Sequence, residues 1–523
     1  MRTGFRQSMA WLHAWSGLVV GWVLFAVFVT GTASYYRSEI SQWMRPELKA
    51  GTPMSPAALG PAADLARLHL DTHAKGARSW FITLPSPDRP TLDLFWRRKP
   101  GTPPGQATLD PATGAPALVR DTRGGDFLYR FHFELSMAPL WGRWIVGICA
   151  MIMLVALVSG IVTHRRIFAD LFTFRRHAKS AQRGWLDAHN VTGVLALPFH
   201  LMITYTGIVT LGVMYMPWGV TTAYRGEAQA FYAESGQITA ARPPAGRPTP
   251  LAPLGPMVEH ALAMNAEPLE RITVQNPGDA NAVVVAVFEE PHGLMHRHPQ
   301  VAFDGTTGAV IETLGLMRPA AGTFTTMVGL HEAHFAGPAL RVLFFLSGVM
   351  GAAMVATGLI LWTVARVPKP GSGARAHLGL RLVQALNVGT IAGLPIAIAC
   401  YFLANRLLPL GITERKETEV TAFFVAWVVA ALVPLALTPR AGWTALLATA
   451  AALLAAVPIV GGLTTGRHLV ASLRAGDAAF YGFDLALLGL GAAFAFAAYK
   501  STGLSRRTVV ERPRPGAVAA AQP

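Results

Sequence analysis

The feature that most limits the fold of this chain is a series of apolar runs, several of which approach or exceed 18 residues. A helix of that length crosses roughly 30 Å of hydrocarbon at about 1.5 Å per residue. Composition agrees, because 52% of the 523 residues are hydrophobic and only 14% are charged. The sequence predicts an α-helical integral membrane protein with about eight spans, near 11–34, 139–163, 187–213, 339–364, 382–404, 420–438, 442–464 and 482–500.

Basic residues are concentrated in alternate connections between these spans. They occur in the loop after span two (HRRIFADLFTFRRHAKSAQR), in the loop after span four, beside Arg440 and in the C-terminal tail. By the positive-inside rule these segments and both termini face the cytoplasm of a bacterial inner membrane. Topology thus explains much of the net charge of +15, and we do not expect nucleic-acid binding.

Two long segments, 35–138 and 214–338, then face the periplasm. Both carry strand-like runs and a similar turn, Asp110 to Gly114 in the first and Asp304 to Gly308 in the second, so we expect two α+β insertions. The other predicted parts are span one (1–34), a unit with span two, a basic cytoplasmic loop and span three (139–213), span four (339–364), a basic cytoplasmic linker (365–381), a C-terminal four-helix membrane unit (382–503) and a cytoplasmic tail (504–523).

Spans one and three share residues at identical offsets, and spans two and four share a second set with a one-residue shift. The first match pairs His13, Gly17, Thr30 and Gly31 with His189, Gly193, Thr206 and Gly207. The second match pairs His132, Arg143 and Gly160 with His331, Arg341 and Gly358. The chain to about residue 370 therefore reads as a parallel repeat of helix, outer insertion and helix.

This repeat predicts two histidine pairs, each at one depth. His13 and His189 lie near the cytoplasmic face, and His132 and His331 lie at the outer ends of their helices. Two histidines at one depth on neighbouring helices can ligate one haem iron from both faces. The alternatives are interfacial histidines near the cytoplasm and histidines bonded to loop carbonyls near the outer face. Gly17 and Gly193 would leave room for the edge of a macrocycle.

Other residues are alternatives or partners for these ligands. His164 can replace His13, whereas His200 can be a ligand, a proton-relay group or a partner of a haem propionate. His334 can be an alternative ligand beside His331. Arg143 and Arg341 either extend to the interface or pair with a propionate. We expect the outer sequence HGLMHRH (residues 292–298) to be a solvated loop. The alternative is that it contacts a metal-bearing substrate.

Two cysteines, Cys149 and Cys400, are too few to hold an iron–sulfur cluster with four thiolates, which leaves histidine as the ligand for a redox metal. The chain also lacks a strand–GxGxxG–helix unit, and its longest cytoplasmic loop has only about twenty residues. A dinucleotide domain is therefore not expected. Electrons must come from membrane quinol or from a separate cytoplasmic reductase.

The repeated His-x3-Gly…Thr-Gly helices, the Phe131-His132 and Leu330-His331 pairs and the Asp-x-x-Thr-Gly turns resemble the PepSY-associated transmembrane-helix family. The resemblance covers about residues 1–370 and implies PepSY-like periplasmic domains, haem b at two sites and reduction of periplasmic ferric siderophores or other ferric chelates. Two rival functions are transport of an iron chelate and non-enzymatic regulation. Spans five to eight depart from the four-helix form, and Asn387 and Asp484 are their most notable polar residues.

Overall fold

The computed structural model describes residues 4–49, 54–138, 140–164, 180–368 and 377–502. Most of the predicted basic cytoplasmic loop (165–179), part of the basic linker and the C-terminal tail lie outside the described residues. Among the described residues, the strands are β1 (Ser79–Thr83), β2 (Leu92–Arg97), β3 (Gly105–Leu109), β4 (Leu269–Gln275), β5 (Val283–Phe288), β6 (Gln300–Asp304) and β7 (Val310–Thr313).

The helices up to the second insertion are α1 (Phe5–Ser34), α2 (Arg37–Trp43), α3 (Pro56–His73), α4 (Gly125–Glu134), α5 (Trp141–Thr163), α6 (Ala181–Leu195), α7 (Leu197–Thr210), α8 (Gly212–Tyr215), α9 (Trp218–Ala223) and α10 (Ala228–Glu234). The later helices are α11 (Leu254–Met264), α12 (Pro319–Glu332), α13 (Pro338–Val364), α14 (Leu378–Ile391), α15 (Gly393–Leu407), α16 (Arg415–Ala436), α17 (Pro439–Thr465), α18 (Leu469–Ala475) and α19 (Ala478–Ser501).

Seven helices of the described chain are long and apolar enough to cross a membrane, with α14 and α15 together forming one of them. The bent pair α6 and α7 makes an eighth span if it is counted as one. Large apolar side chains point outward along these helices, as on α16 where Val425, Val428 and Leu432 are exposed. Such a surface suits lipid, since an exposed apolar face this large would be unfavourable in water.

The third predicted span is not one straight helix. It breaks after Leu195, and α7 continues at an angle of 67° to α6. Pro198 lies in the first turn of α7, where a proline is tolerated because its missing amide would have no partner. The first span is also longer than predicted, since it begins at Phe5 rather than near residue 11.

The two insertions form a single sheet rather than two separate ones. Its strand order is β3-β2-β1-β4-β5-β6-β7, and β1 of the first insertion pairs antiparallel with β4 of the second. Helices α3 and α11 pack together on one face, where the buried core includes Leu70, Ile82 and Phe288. Both Asp-Thr-Gly turns form as the sequence predicts. The Asp110 carboxylate accepts the Thr113 amide at 2.9 Å, and the Asp304 carboxylate accepts the Thr306 amide at 3.0 Å.

The C-terminal unit is joined to the first half of the chain by buried polar contacts. Asn387 accepts a hydrogen bond from Trp22 Nε1 at 2.9 Å and donates one to the Leu359 carbonyl at 2.9 Å. Asp484 accepts one from Trp43 Nε1 at 3.0 Å. Both polar residues singled out in the sequence thus tie spans five to eight to α1, α2 and α13.

Candidate functional site

The structure brings the four repeat histidines together as two pairs. His13 and His189, the distal pair, have ring centres 6.0 Å apart at the end of the bundle away from the sheet. His132 and His331, the sheet-side pair, also have ring centres 6.0 Å apart. The planes of the rings are inclined by 60° in the distal pair and by 30° in the sheet-side pair.

The distal pair is positioned by helices α5 and α13. His13, on α1, directs Nδ1 to the Ala156 carbonyl of α5 at 2.8 Å. His189, on α6, directs Nδ1 to the Met354 carbonyl of α13 at 2.9 Å. Since a carbonyl can only accept, Nδ1 carries the proton in both rings, and each Nε2 keeps its lone pair.

The sheet-side pair lies on two short helices that precede spans two and four, rather than on the spans themselves. His132, on α4, donates from Nδ1 to the Val27 carbonyl of α1 at 2.8 Å. His331, on α12, has Nδ1 at 3.2 Å from Thr206 Oγ1 of α7. Both short helices end in a left-handed residue, Leu135 or Ala333, which turns the chain toward the following span.

A glycine lies against each of the four rings. The ideal Cβ positions would be 2.6 Å from His132 Nδ1 at Gly31, 2.7 Å from His331 Cε1 at Gly207, 3.1 Å from His13 Cε1 at Gly160 and 3.1 Å from His189 Cε1 at Gly358. Three of the glycines come four residues after the carbonyl that bonds the same ring, so glycine and carbonyl lie on one face of their helix. The fourth, Gly207, directly follows Thr206, whose hydroxyl contacts His331. The shared glycines of the sequence pattern therefore make room for imidazole rings.

These residues fit a haem iron held from both faces. An imidazole nitrogen binds a metal ion at about 2 Å, so two rings on opposite sides of one ion have centres about 6 Å apart. Donation from Nδ1 to a backbone carbonyl is how metal-binding histidines are commonly oriented. Within the described parts of the chain, no group forms a hydrogen bond with Nε2 of the four rings.

The sheet-side rings are also electrically suited to this role. Removal from water lowers the pKa of His132. For His331, removal from water and the neighbouring His132 together lower the pKa to about 3. Both rings are therefore neutral at physiological pH, which is the form that binds a metal ion.

The two glycines expected to accommodate a macrocycle differ from one another. A Cβ at Gly17 would have no heavy atom within 4 Å, whereas one at Gly193 would lie 3.3 Å from Met354 Sδ. Open space at Gly17 agrees with the prediction, but Gly193 serves contact between α6 and α13.

The alternative ligands lie elsewhere. His164 caps the end of α5, and no described ring contact joins it to His189. His200 is fully buried, with ring centres of Phe28 and Phe199 6.0 Å away, and neither ring nitrogen has a hydrogen-bond partner among the described residues. The 67° bend between α6 and α7 lies between His189 and His200.

Carboxylates engage both arginines that the sequence offered as propionate partners. Arg143 binds Glu134 at 2.5 Å, and its guanidinium lies 5.4 Å from the Phe133 ring centre. Arg341 pairs with Glu39 across the bundle and lies 4.3 Å from the Tyr36 ring centre. Both arginines therefore join neighbouring elements at the sheet side of the bundle.

A cavity of about 1580 Å³ lies between the bundle and the sheet. It reaches both sheet-side histidines, and its wall carries charged residues from both insertions, such as Arg37 and Glu290, together with Arg341 of α13. The sequence did not predict this cavity, because its wall combines residues from segments far apart in the chain.

The HGLMHRH segment is not simply a solvated loop. His296 Nδ1 lies 3.3 Å from Glu290 and 3.2 Å from Glu332, and His334 Nδ1 lies 3.0 Å from Glu290. Burial raises the pKa of Glu290, but hydrogen bonds from His296 and His334 outweigh burial and hold the pKa at about 2. Neither glutamate was predicted from the sequence, although Glu332 directly follows His331.

The sequence pattern described as the PepSY-associated TM region matches residues 10–365. An uncharacterized protein of Pseudomonas aeruginosa is 28% identical over 335 residues, which make up 60% of this chain and 80% of that protein. The match and the apolar helices together establish a multi-pass membrane protein.

Proposed function

The chain belongs to the family of the PepSY-associated TM region, and from this premise we propose that it is a haem-b-containing reductase of the bacterial inner membrane. It moves electrons across the bilayer to periplasmic ferric iron, bound as a ferric siderophore or another ferric chelate. Two haems b are held by His13 with His189 and by His132 with His331. Membrane quinol or a separate cytoplasmic reductase supplies the electrons.

The observation that carries this proposal is the recurrence of one ligand geometry at both ends of the bundle. Ring centres are 6.0 Å apart in each pair, and each Nδ1 is engaged so that Nε2 is left free. Helix α1 contacts both pairs, because it carries His13 and also Val27, whose carbonyl bonds His132. These two positions on α1 are 14 residues apart, or roughly 21 Å of helix. Two redox centres at these levels would span much of the hydrocarbon.

The protein contributes ligation, burial and orientation. Haem bound by two imidazoles supplies reversible one-electron chemistry. The carbonyls of Ala156, Met354 and Val27 fix the ring orientations, and the glycines beside the rings allow the helices to approach closely. Buried apolar residues such as Leu24, Met153 and Leu157 keep water from the space between α1 and α5.

The cavity at the sheet side is where we expect the ferric chelate to bind. Its arginines can donate to anionic oxygen atoms, and its depth brings a substrate to His132 and His331. One electron added to Fe(III) gives Fe(II), which anionic oxygen ligands hold less tightly because its charge is lower. The chelate is thereby loosened without breaking a covalent bond.

We also propose that the chain to about residue 370 is a parallel repeat with both insertions in the periplasm. The matched contacts support it, since Gly31 and Gly207 abut one histidine pair and Gly160 and Gly358 abut the other. In this orientation the sheet-side pair is the outer one, and the N- and C-termini are cytoplasmic.

The test begins with the full chain purified from haem-replete cells. Its absorption is recorded as a dithionite-reduced minus oxidised difference spectrum. We expect a b-type α-band and two haems per chain, with about half lost in His132→Ala or His189→Ala. His69→Ala is the matched control. His69 lies on α3 of the outer insertion, outside both histidine pairs, and stacks on His73 of the same helix with ring centres 4.1 Å apart. Full occupancy in His13→Ala would assign the distal ligand to His164 instead.

Activity is then measured in vesicles that hold a reductant inside and a ferric chelate outside, with a ferrous indicator. Wild-type protein should produce Fe(II) outside, and His132→Ala should not. Absence of any haem band would remove the reductase proposal. Chelate uptake without haem would indicate a transporter, and binding of a protein partner without a redox spectrum would indicate a regulator.

A further inference from the structure

A cluster of three histidines and two glutamates lies beside the sheet-side pair and outside the four histidines proposed to hold haem. Glu290 follows β5, His296 and His298 lead into β6, and Glu332 and His334 lie at the end of α12. We refer to these five residues as the carboxylate–histidine cluster. Folding thus joins the β5–β6 loop to the helix that presents His331.

The ligand atoms of this cluster are close enough to share one ion. His296 Nδ1 is 3.3 Å from Glu290 Oε2 and 3.2 Å from Glu332 Oε2. His334 Nδ1 is 3.0 Å from Glu290 Oε2 and 3.7 Å from Glu332 Oε2. In each of two overlapping triads, Glu290 with His296 and His298 and His296 with Glu332 and His334, the candidate ligand atoms lie within 4.8 Å of one another.

These distances suit metal coordination. Nitrogen and oxygen ligands bind a first-row ion at about 2.1 Å, which places two neighbouring ligand atoms about 3.0–3.4 Å apart. The same spacing suits hydrogen bonds in which protons of the imidazoles occupy the place of the ion. The experiment must therefore separate an ion site from a hydrogen-bonded network.

The cluster is held by the fold. The Glu290 side chain is only 9% exposed and turns inward to both His296 and His334. The His296 amide donates to the Thr325 carbonyl of α12 at 3.0 Å, which joins the loop to that helix. Gly329 allows this contact, because a Cβ there would lie 1.9 Å from the Leu294 carbonyl oxygen.

The cluster opens into the same cavity as the proposed reduction site. Glu290, His298, Glu332 and His334 line that cavity together with His331. Glu332 is also the chain neighbour of His331, so the distance from the reduction site to the cluster is short. An ion released in the cavity would therefore have these side chains within reach.

We propose that the carboxylate–histidine cluster is a binding site for a divalent first-row transition-metal ion. This inference rests on the proposed function, because the ion that the cluster receives is the Fe(II) formed when the ferric chelate is reduced. Two imidazoles and a carboxylate form a set that binds Fe(II) and leaves coordination positions open. Transfer moves Fe(II) from chelate oxygens to the cluster, and protons displaced from His296 and His334 pass to solvent.

The test uses the full chain in lipid nanodiscs under anaerobic conditions, with Co(II) as the spectroscopic probe and Fe(II) as the proposed ligand. We expect one equivalent of either ion beyond haem iron. Affinity should fall by about 100-fold or more in His296→Ala and Glu290→Gln. His334→Ala is the second variant, because its ring is 58% exposed and its removal should leave the fold intact. His260→Ala, on α11 and outside the cluster, should bind like wild type.

Haem content is recorded on the same samples, so failure of this inference differs from failure of the proposed function. Haem without a Co(II) site, or equal affinity in wild type and His296→Ala, overturns the metal site and leaves the reductase. Co(II) binding that depends on His296 in protein without haem supports the site but overturns its link to iron reduction. Competition that shows no binding of Fe(II) at all would also overturn that link.

Discussion

Three of the paired histidines, His13, His132 and His189, depend on a two-part contact with a neighbouring helix, a carbonyl that receives Nδ1–H and a glycine one turn later. At the closest of these contacts, a Cβ on Gly31 would lie 2.6 Å from the His132 ring. The ring is also fixed by the Val27 carbonyl, so it cannot retreat without losing that hydrogen bond. Ligand position is therefore most sensitive to change at the glycine.

We predict that Gly31→Ala lowers haem content at the sheet-side pair by about half or more, because the methyl group displaces His132 from its carbonyl. The measurement is the haem-to-protein ratio after purification. Gly489→Ala, on the transmembrane helix α19, is the matched control. A Cβ at Gly489 would have no heavy atom within 4 Å. Equal haem contents in the two variants would contradict this role for Gly31.

A second residue-scale prediction concerns the turn at Asp304. The Thr306 hydroxyl and amide, with Arg242, hold the pKa of the Asp304 carboxyl at about 2, below its usual 3.8. A group whose pKa is lowered by folding contributes stability above its unfolded pKa and loses it as pH falls through the folded value. Wild-type stability should therefore decline between about pH 4 and pH 2.

Asp304→Asn should remove part of that decline and lower stability near neutral pH. The measurement is the apparent unfolding temperature at a series of pH values in detergent. Asp88→Asn, which makes the same change of charge on the β1–β2 hairpin, is the comparison. A steeper loss in Asp304→Asn than in wild type below pH 4 would reverse the sign and refute the assignment.

At the scale of elements, helix α16 shows how the C-terminal unit packs against the first half of the chain. Arg415 and Glu419 form an ion pair that is 1% and 0% exposed. Glu419 also accepts a hydrogen bond from Thr122 at 2.5 Å, just before α4 begins. Phe127 and Phe131 of α4 then pack against Phe423 of α16. Spans five to eight thus support the helix that carries His132.

We predict that Arg415→Met destabilises the protein by about 3–5 kcal/mol, because Glu419 is left charged and buried without its partner. The double variant Arg415→Met with Glu419→Leu should recover much of that loss. Arg123→Gln is the control. Its partner Glu417 is 41% exposed, and exposed pairs contribute about 0–1 kcal/mol. Unfolding temperature and haem content report the outcome, and equal losses in the two single variants would count against the buried pair.

Some features of these elements could be predicted from the sequence, and others could not. The spans could be predicted because hydropathy is a local property, and the histidine pairs because repeat offsets fix their depth. The break before α7 was missed, although Pro198 lies beside it, because a proline in the first helical turn and one inside a helix look alike in sequence. Glu290 was missed because only the folded chain brings it to His296.

At the scale of the whole molecule, the two insertions act as one body. Strand β1 pairs with β4 across more than 180 residues of chain, a pairing that no local pattern predicts. The sheet and the bundle enclose the cavity, so the substrate site is formed by both insertions together. A sheet that stays continuous would keep the shape of that cavity during turnover.

This continuity can be tested by a disulfide between β1 and β4. Ser79 lies opposite Gln275, where Cβ atoms are about 4.5–5.5 Å apart and need only a small shift to form a disulfide. Ser79→Cys with Gln275→Cys should cross-link on mild oxidation, as mass spectrometry of the linked peptide will report. The diagonal pair Ser79→Cys with Thr273→Cys, with Cβ atoms about 7 Å apart, should not.

If the sheet is one rigid body, the cross-linked protein should keep wild-type haem content and the wild-type rate of ferric chelate reduction. The strands would then gain a covalent bond without losing any motion that the reaction requires. Loss of activity on oxidation, restored by a thiol reductant, would show instead that the insertions separate to admit substrate. Equal cross-linking of the diagonal pair would contradict the strand register itself, because a shift of two residues would then be tolerated.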